Sequence, residues 1–111
     1  MTTQWKISLE KVEALLPPKG TDGTRSTFPI TIGSMRTGLY APVGTDPQKP
    51  HEQDEIYIIL SGTGMFLRGE ERQPFKPGDI LFVPAHMEHR FEDFSDDFKT
   101  WVVFWGPKGG E

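Results

Sequence analysis

His51 and Glu55 stand four residues apart at the head of HEQDEIYIIL, a polar stretch that turns apolar without a break. A neutral imidazole nitrogen and a carboxylate oxygen are both donors to a divalent metal ion. Side chains two apart on a strand share a face, so a strand beginning near His51 would carry His51, Gln53, Glu55, Tyr57 and Ile59 on one side. Glu52, Asp54, Ile56, Ile58 and Leu60 would line the other. Two donors on one face still lack another nitrogen. The segment PAHMEHRFED offers two, His86 and His89.

Those donors need a scaffold, and the chain reads as short strands. Ser8 to Leu16 carries the one helical pattern: Leu9, Val12, Ala14, Leu15 and Leu16 recur near helical spacing, Ser8 can cap the start, and Pro17-Pro18 end it. From Gly20 onward, Gly and Pro punctuate runs rich in Ile, Val, Phe, Tyr, Thr and Trp. Strands are predicted near Pro29–Ser34, Arg36–Ala41, Glu55–Leu60, Gly64–Arg68, Ile80–Val83, His89–Phe94 and Thr100–Trp105, giving an all-β barrel or sandwich. The expected organisation is a single domain: an N-terminal helix and loop over 1–26, a barrel over 27–106 and a flexible tail over 107–111. Gly62-Thr63-Gly64 lacks the following helix and lysine of a phosphate loop and reads as a hairpin turn.

Three runs, IYIIL, ILFVP and WVVFWG, are apolar at successive positions. Both faces of such strands must be covered. One short helix cannot cover three of them, which leaves a homodimer or sheet-on-sheet packing within the chain. Composition narrows the partners. A 111-residue chain of net charge −4 and no cysteine offers no basic patch for nucleic acid and no thiolate chemistry. No stretch approaches the ~20 apolar residues of a membrane span, so a cytoplasmic protein is expected. Glu52, Asp54, Glu70, Glu71, Asp96 and Asp97 read as solvated charges.

Two segments resemble the conserved motifs of the cupin family. GTDPQKPHEQDEIYIILSG, Gly44 to Gly62, is similar to the first: His51 falls at its second histidine, and Glu55 and Gly62 keep the motif's six-residue separation. GDILFVPAHMEHRFED is similar to the second, with Gly78, Pro84 and, at the metal-binding histidine, His89. The resemblance implies an antiparallel jelly-roll barrel (a double-stranded β-helix) with a divalent metal, Fe, Mn, Ni or Zn, at its open end. In the family three histidines and a glutamate hold the ion. His51, Glu55 and His89 carry over, whereas Lys49 stands at the first histidine, and a protonated ammonium has no lone pair to give. His86 stands where the second motif has glycine, and Asp93 where it has asparagine.

Two arrangements accommodate the missing histidine. Two histidines and one carboxylate form the facial triad of non-heme Fe(II) oxygenases, which needs no fourth protein ligand. Alternatively, the amide oxygen of Gln53 takes the vacant position. Tyr57 and Lys49 are the substrate-binding candidates, with Met35, Arg36, Phe82, Trp101 and Trp105 as further cavity candidates. The implied function is a metal-dependent small cupin acting on a small organic molecule as a dioxygenase, isomerase or decarboxylase. The alternative is a non-enzymatic binding module, metal-free or with a structural metal.

Overall fold

The computed structural model describes residues 5–20 and 24–111; the expected N-terminal segment at 1–4 and 21–23 lies outside the described residues. Ser8 caps α1 (Leu9–Ala14), its hydroxyl oxygen accepting from the Lys11 amide at 3.2 Å. The chain then forms β1 (Ser26–Ile32), β2 (Met35–Tyr40), β3 (Asp54–Ser61), β4 (Gly64–Arg68), β5 (Glu71–Phe75), β6 (Ile80–Val83), β7 (His89–Glu92) and β8 (Lys99–Trp105). All seven predicted strands are present, some with shifted ends. The addition is β5, whose sequence ERQPF is exposed except at Phe75 and so carries no apolar alternation. As the edge of its sheet, β5 tolerates Pro74 without breaking a central ladder.

The strands pair antiparallel in a five-stranded sheet, ordered β1, β2, β8, β3, β6, and a three-stranded sheet, ordered β5, β4, β7. They are not joined into one closed ladder. Instead Arg68 of β4 reaches from one sheet to the other, its Nε donating to the Phe82 carbonyl at 2.9 Å. Both sheets contribute to one aromatic-rich core that includes Tyr40, Tyr57, Phe66, Phe75, Phe91 and Phe104. Alternation places these side chains inward: on β8 Thr100, Val102 and Phe104 are buried, while Trp101, Val103 and Trp105 are half-buried on the opposite face. Helix α1 covers part of that outer face, with Val12 and Leu39 of β2 fully buried and Lys99 paired to Glu13 at 3.1 Å.

Gly62, the last residue of the first motif, has φ +86, and a Cβ there would lie 2.5 Å from the Phe98 Cα. Only glycine fits this turn. Asp54, read from sequence as a solvated charge, is buried, and its carboxylate accepts from the amides of Ala85 at 2.9 Å and Glu111 at 3.0 Å. Both bonds hold its pKa below the usual carboxylate value. Residues 107–111, expected as a flexible tail, therefore lie against β3, and Trp105 Nε1 donates to Glu111 at 2.9 Å. Among the described residues no helix is long and apolar enough to cross a membrane.

Candidate metal centre

Two strands and the loop before one of them deliver the predicted donors. Glu55 is the second residue of β3 and points into the core with Tyr57 and Ile59. His89 opens β7. His51 precedes β3, because the strand starts at Asp54, and its segment is pinned by a backbone bond from the His86 amide to the His51 carbonyl at 2.6 Å. Their ligand atoms all lie within 4.8 Å of one another. His89 Nε2 is 3.1 Å and His51 Nε2 3.9 Å from Glu55 Oε1. Ligand atoms sharing one ion at 2.0–2.2 Å stand about 3 to 3.5 Å apart; the Glu55–His89 approach falls at that spacing, and His51 stands somewhat wider.

Glu55 and His89 have side chains 2% and 1% exposed. Although Glu55 Oε1 and His89 Nε2 are close, they are not aligned as a hydrogen bond, and both atoms are left without one. Buried polar atoms are almost always satisfied, and two that converge unsatisfied mark a place where a cation fits. His89 Nδ1 faces the Met87 carbonyl at 2.8 Å. A carbonyl only accepts, so Nδ1 carries the proton, and in the neutral ring Nε2 presents its lone pair to the cluster. This is the outer-shell bond that orients a ligating histidine. Burial lowers the basicity of both rings. For His51 it prevails, with His89 and Arg36 adding to it; for His89 the neighbouring Glu55 carboxylate and the Met87 carbonyl reverse it and raise the pKa above 6.5.

The other candidates are dispersed. Gln53 turns away: its amide nitrogen donates to the carbonyls of Ser34 at 2.8 Å and Gly106 at 2.9 Å, and its oxygen faces Arg36 at 3.4 Å. Lys49 is exposed. His86 is exposed too, with φ 67, a left-handed backbone suited to the glycine of the family motif; Asp93, at φ 51, matches its asparagine in the same way. Tyr57 comes to the site, and burial, reinforced by the charges of Glu55 and Asp46, keeps its phenol protonated.

Two side chains not singled out from the sequence also arrive, Asp46 and Gln48. The Tyr57 hydroxyl donates to Gln48 Oε1 at 2.9 Å, and Gln48 Oε1 is 3.2 Å from His51 Nε2. Asp46 accepts from the Gln48 amide side chain at 2.6 Å, from the Phe91 backbone at 2.8 Å and from the Tyr40 hydroxyl. Nothing in GTDPQKPH is periodic. The available signal was a neutral amide three residues before the histidine.

A cavity of about 200 Å3 opens beside the cluster, lined by His51, Glu55 and Tyr57 together with Phe28, Arg36 and Phe104. Arg36 and His51 also border a wider hollow of about 610 Å3 at the surface. The Arg36 guanidinium lies over the rings of Phe28 and Phe104, 5.2 and 4.6 Å from their centroids, the geometry of a cation–π clamp. A further cleft of about 460 Å3, lined by Phe66, Arg68, Pro74 and Phe82 among others, contains none of the converging donors.

Comparison with known proteins agrees with this fold. The chain is 42% identical over 77 residues to an uncharacterised protein of Streptomyces coelicolor, covering 68% of this chain and 73% of that one. It is 43% identical over 60 residues to an acireductone dioxygenase of Leishmania infantum, but these cover 49% of this chain and 17% of the dioxygenase. A Cupin 2 conserved barrel domain protein from Salinispora arenicola shares the fold with a TM-score of 0.69 at 20% identity, over 95% of this chain and 91% of that one. The family model described as "Cupin domain" matches residues 37–105, which hold His51, Glu55 and His89 and run from β2 through β8; the chain belongs to the cupin family.

Proposed function

We propose that this protein is a metal-dependent cupin that binds a small organic anion in the cavity beside His51, Glu55 and His89 and transforms it as a dioxygenase, isomerase or decarboxylase. The observation that carries this reading is the buried pair Glu55 Oε1 and His89 Nε2, 3.1 Å apart and each without a hydrogen bond. A divalent ion, Fe, Mn, Ni or Zn, would be held by His51, Glu55 and His89, and when bound supplies open positions for substrate oxygen with Lewis-acid or redox chemistry. Arg36, braced by Phe28 and Phe104, offers its remaining N–H groups to a carboxylate or enolate oxygen at the mouth. Lys49 would have to fold inward to share that role, and Tyr57, whose hydroxyl proton goes to Gln48 Oε1 at 2.9 Å, keeps only its oxygen for the substrate. The partial likeness to acireductone dioxygenase supports the dioxygenase among the three reactions.

The test is elemental analysis of untagged protein purified without chelator, beside His89→Ala. Near-stoichiometric metal in the wild type and its loss in the variant are expected. No metal after anaerobic loading with Fe(II), Mn(II), Ni(II) and Zn(II) would defeat the reading. The raised basicity of His89 next to Glu55 favours the second one, a metal-free binding module in which the two form a buried ion pair. Ligand-induced stabilisation that survives chelation would identify it.

We further propose a homodimer, and a cytoplasmic location that cell fractionation would test. On the outer face, strand register aligns Leu39, Trp101, Ile58 and Ile80 in one row and Thr37, Val103, Ile56 and Phe82 in the next. At the β3–β6 end of these rows Ile58, Ile80 and Phe82 are 37%, 66% and 45% exposed, an apolar patch of the kind partners cover. Light scattering at micromolar concentration should give twice the monomer mass, and Phe82→Asp should return it to one. A monomeric wild type rules the dimer out.

A further inference from the structure

We propose that the side-chain amide oxygen of Gln48 is a fourth protein ligand of the metal centre, taking the place of the histidine absent at Lys49, and that Asp46 aims it. This rests on the metal-binding reading above.

The orientation of the amide follows from its partners. Its Nε2 donates to Asp46 Oδ2 at 2.6 Å, and its Oε1 accepts from the Tyr57 hydroxyl at 2.9 Å. The oxygen, not the nitrogen, therefore faces the cluster. Tyr57 occupies one lone pair of that oxygen and leaves the other. Asp46 cannot easily turn, because its carboxylate is also held by the Gln48 and Phe91 amides, at 3.1 and 2.8 Å, and by Tyr40. The Phe91 contact fastens the loop to the unpaired edge of β7.

The second argument concerns His51. Its Nε2 is 3.2 Å from Gln48 Oε1. If Nε2 presents a lone pair to a metal, it cannot also donate to Gln48, and two acceptors at 3.2 Å repel unless a cation lies between them. The same logic applies to Glu55 Oε1 and His89 Nε2 at 3.1 Å. Four donor atoms are thus linked in a chain of close approaches, from His89 to Glu55 to His51 to Gln48, with a step of 3.9 Å between Glu55 and His51. Gln53, whose amide is spent on Ser34, Gly106 and Arg36, makes no such approach.

A neutral oxygen in place of an imidazole has a consequence for selectivity. Carbonyl oxygen suits Mn(II), whereas imidazole suits Ni(II), Cu(II) and Zn(II). Gln48 would hold the centre toward the harder ions.

The experiment titrates chelator-stripped protein with Mn(II) and with Ni(II), reading dissociation constants for the wild type, Gln48→Leu, Gln48→His and His89→Ala. Gln48→Leu should weaken Mn(II) binding by about 10- to 100-fold or more, since loss of even an outer-shell partner of a ligand costs that much. Gln48→His should recover that loss and favour Ni(II) over Mn(II) by about tenfold relative to wild type. Asp46→Asn should weaken Mn(II) binding in the Gln48 background and leave it unchanged in the Gln48→Leu background, which a purely structural role for Asp46 would not do. If the wild type binds and His89→Ala does not, but Gln48→Leu matches the wild type within twofold, the Gln48 assignment is overturned while the metal centre stands. Failure of the wild type to bind either ion overturns both. Should Gln48→Leu fail to fold, a Gln48→His protein with unchanged Mn(II) and Ni(II) constants also overturns the assignment.

Discussion

Replacing Glu55 with leucine is expected to abolish metal binding and, at pH 8, to raise the melting temperature of the metal-free protein by about 4 °C or more. The carboxylate is 2% exposed and its Oε1 has no hydrogen bond, so metal-free protein bears the desolvation of that group. An unsatisfied buried polar group costs about 1–3 kcal/mol, more when charged, and a shape-matched apolar side chain removes that cost. One kcal/mol corresponds to about 4 °C or more in a domain of this size. The pH dependence should invert as well. In the wild type burial depresses His89, but Glu55 and the Met87 carbonyl outweigh it and raise the folded pKa above 6.5. A raised histidine contributes stability that is fully present below the unfolded value of 6.5 and lost as pH rises through the folded value. Without Glu55, burial dominates and the pKa falls below 6.5, so the contribution grows with pH instead. The advantage of Glu55→Leu is therefore largest above pH 7 and shrinks toward pH 5. Thermal melts in chelator at both ends of that range, with metal titrations alongside, check this. A variant that melts below the wild type at pH 8 would show that Glu55 is satisfied in the metal-free protein.

The same pair explains what was legible from sequence. His51, Glu55 and His89 were found because their spacings matched two motifs that bracket a hairpin, and the structure brings them together within 4.8 Å. The strands were found because Gly and Pro punctuate runs rich in β-branched and aromatic residues, and Tyr57, Ile59, Val102 and Phe104 of those runs are core residues. What escaped depends on contacts distant in sequence. Asp54 looked like one charge among several, yet it meets the amides of Ala85 and Glu111 across 31 and 57 residues. Gln53 was placed with His51 and Glu55 by strict strand alternation, which does not apply before the strand starts at Asp54. Gln48 and Asp46 lie in a loop without periodicity, and the Phe91 amide on β7 with the Tyr40 and Tyr57 hydroxyls reveals why the loop turns inward.

The scaffold should be least forgiving at Gly38, where alanine is expected to cost about 3 kcal/mol and to disturb the cavity at the same time. Gly38 lies on β2 opposite Val102 of β8, and on its other side β1 bulges between Thr27 and Ile30. A Cβ at Gly38 would stand 1.9 Å from the Thr27 carbonyl oxygen and 2.8 Å from the Phe28 Cα, both backbone atoms that cannot rotate away. Overpacking of this kind forces the backbone to move and costs about 1–3 kcal/mol or more. Because β1 is the edge of its sheet, the cheapest relief is for β1 to peel from β2 rather than for the core to open. Phe28 would leave with it. That ring lines the cavity beside Glu55 and forms half of the clamp that holds Arg36, the other half being Phe104. Gly38→Ala should thus lower the urea midpoint, speed hydrogen exchange across residues 26–32, and weaken binding of a carboxylate probe at Arg36 while leaving His51, Glu55 and His89 able to hold Mn(II). Uniform exchange acceleration through β3 and β8 would mean instead that β1 is integral to the core, and an unchanged midpoint would mean that the bulge absorbs the methyl group without strain.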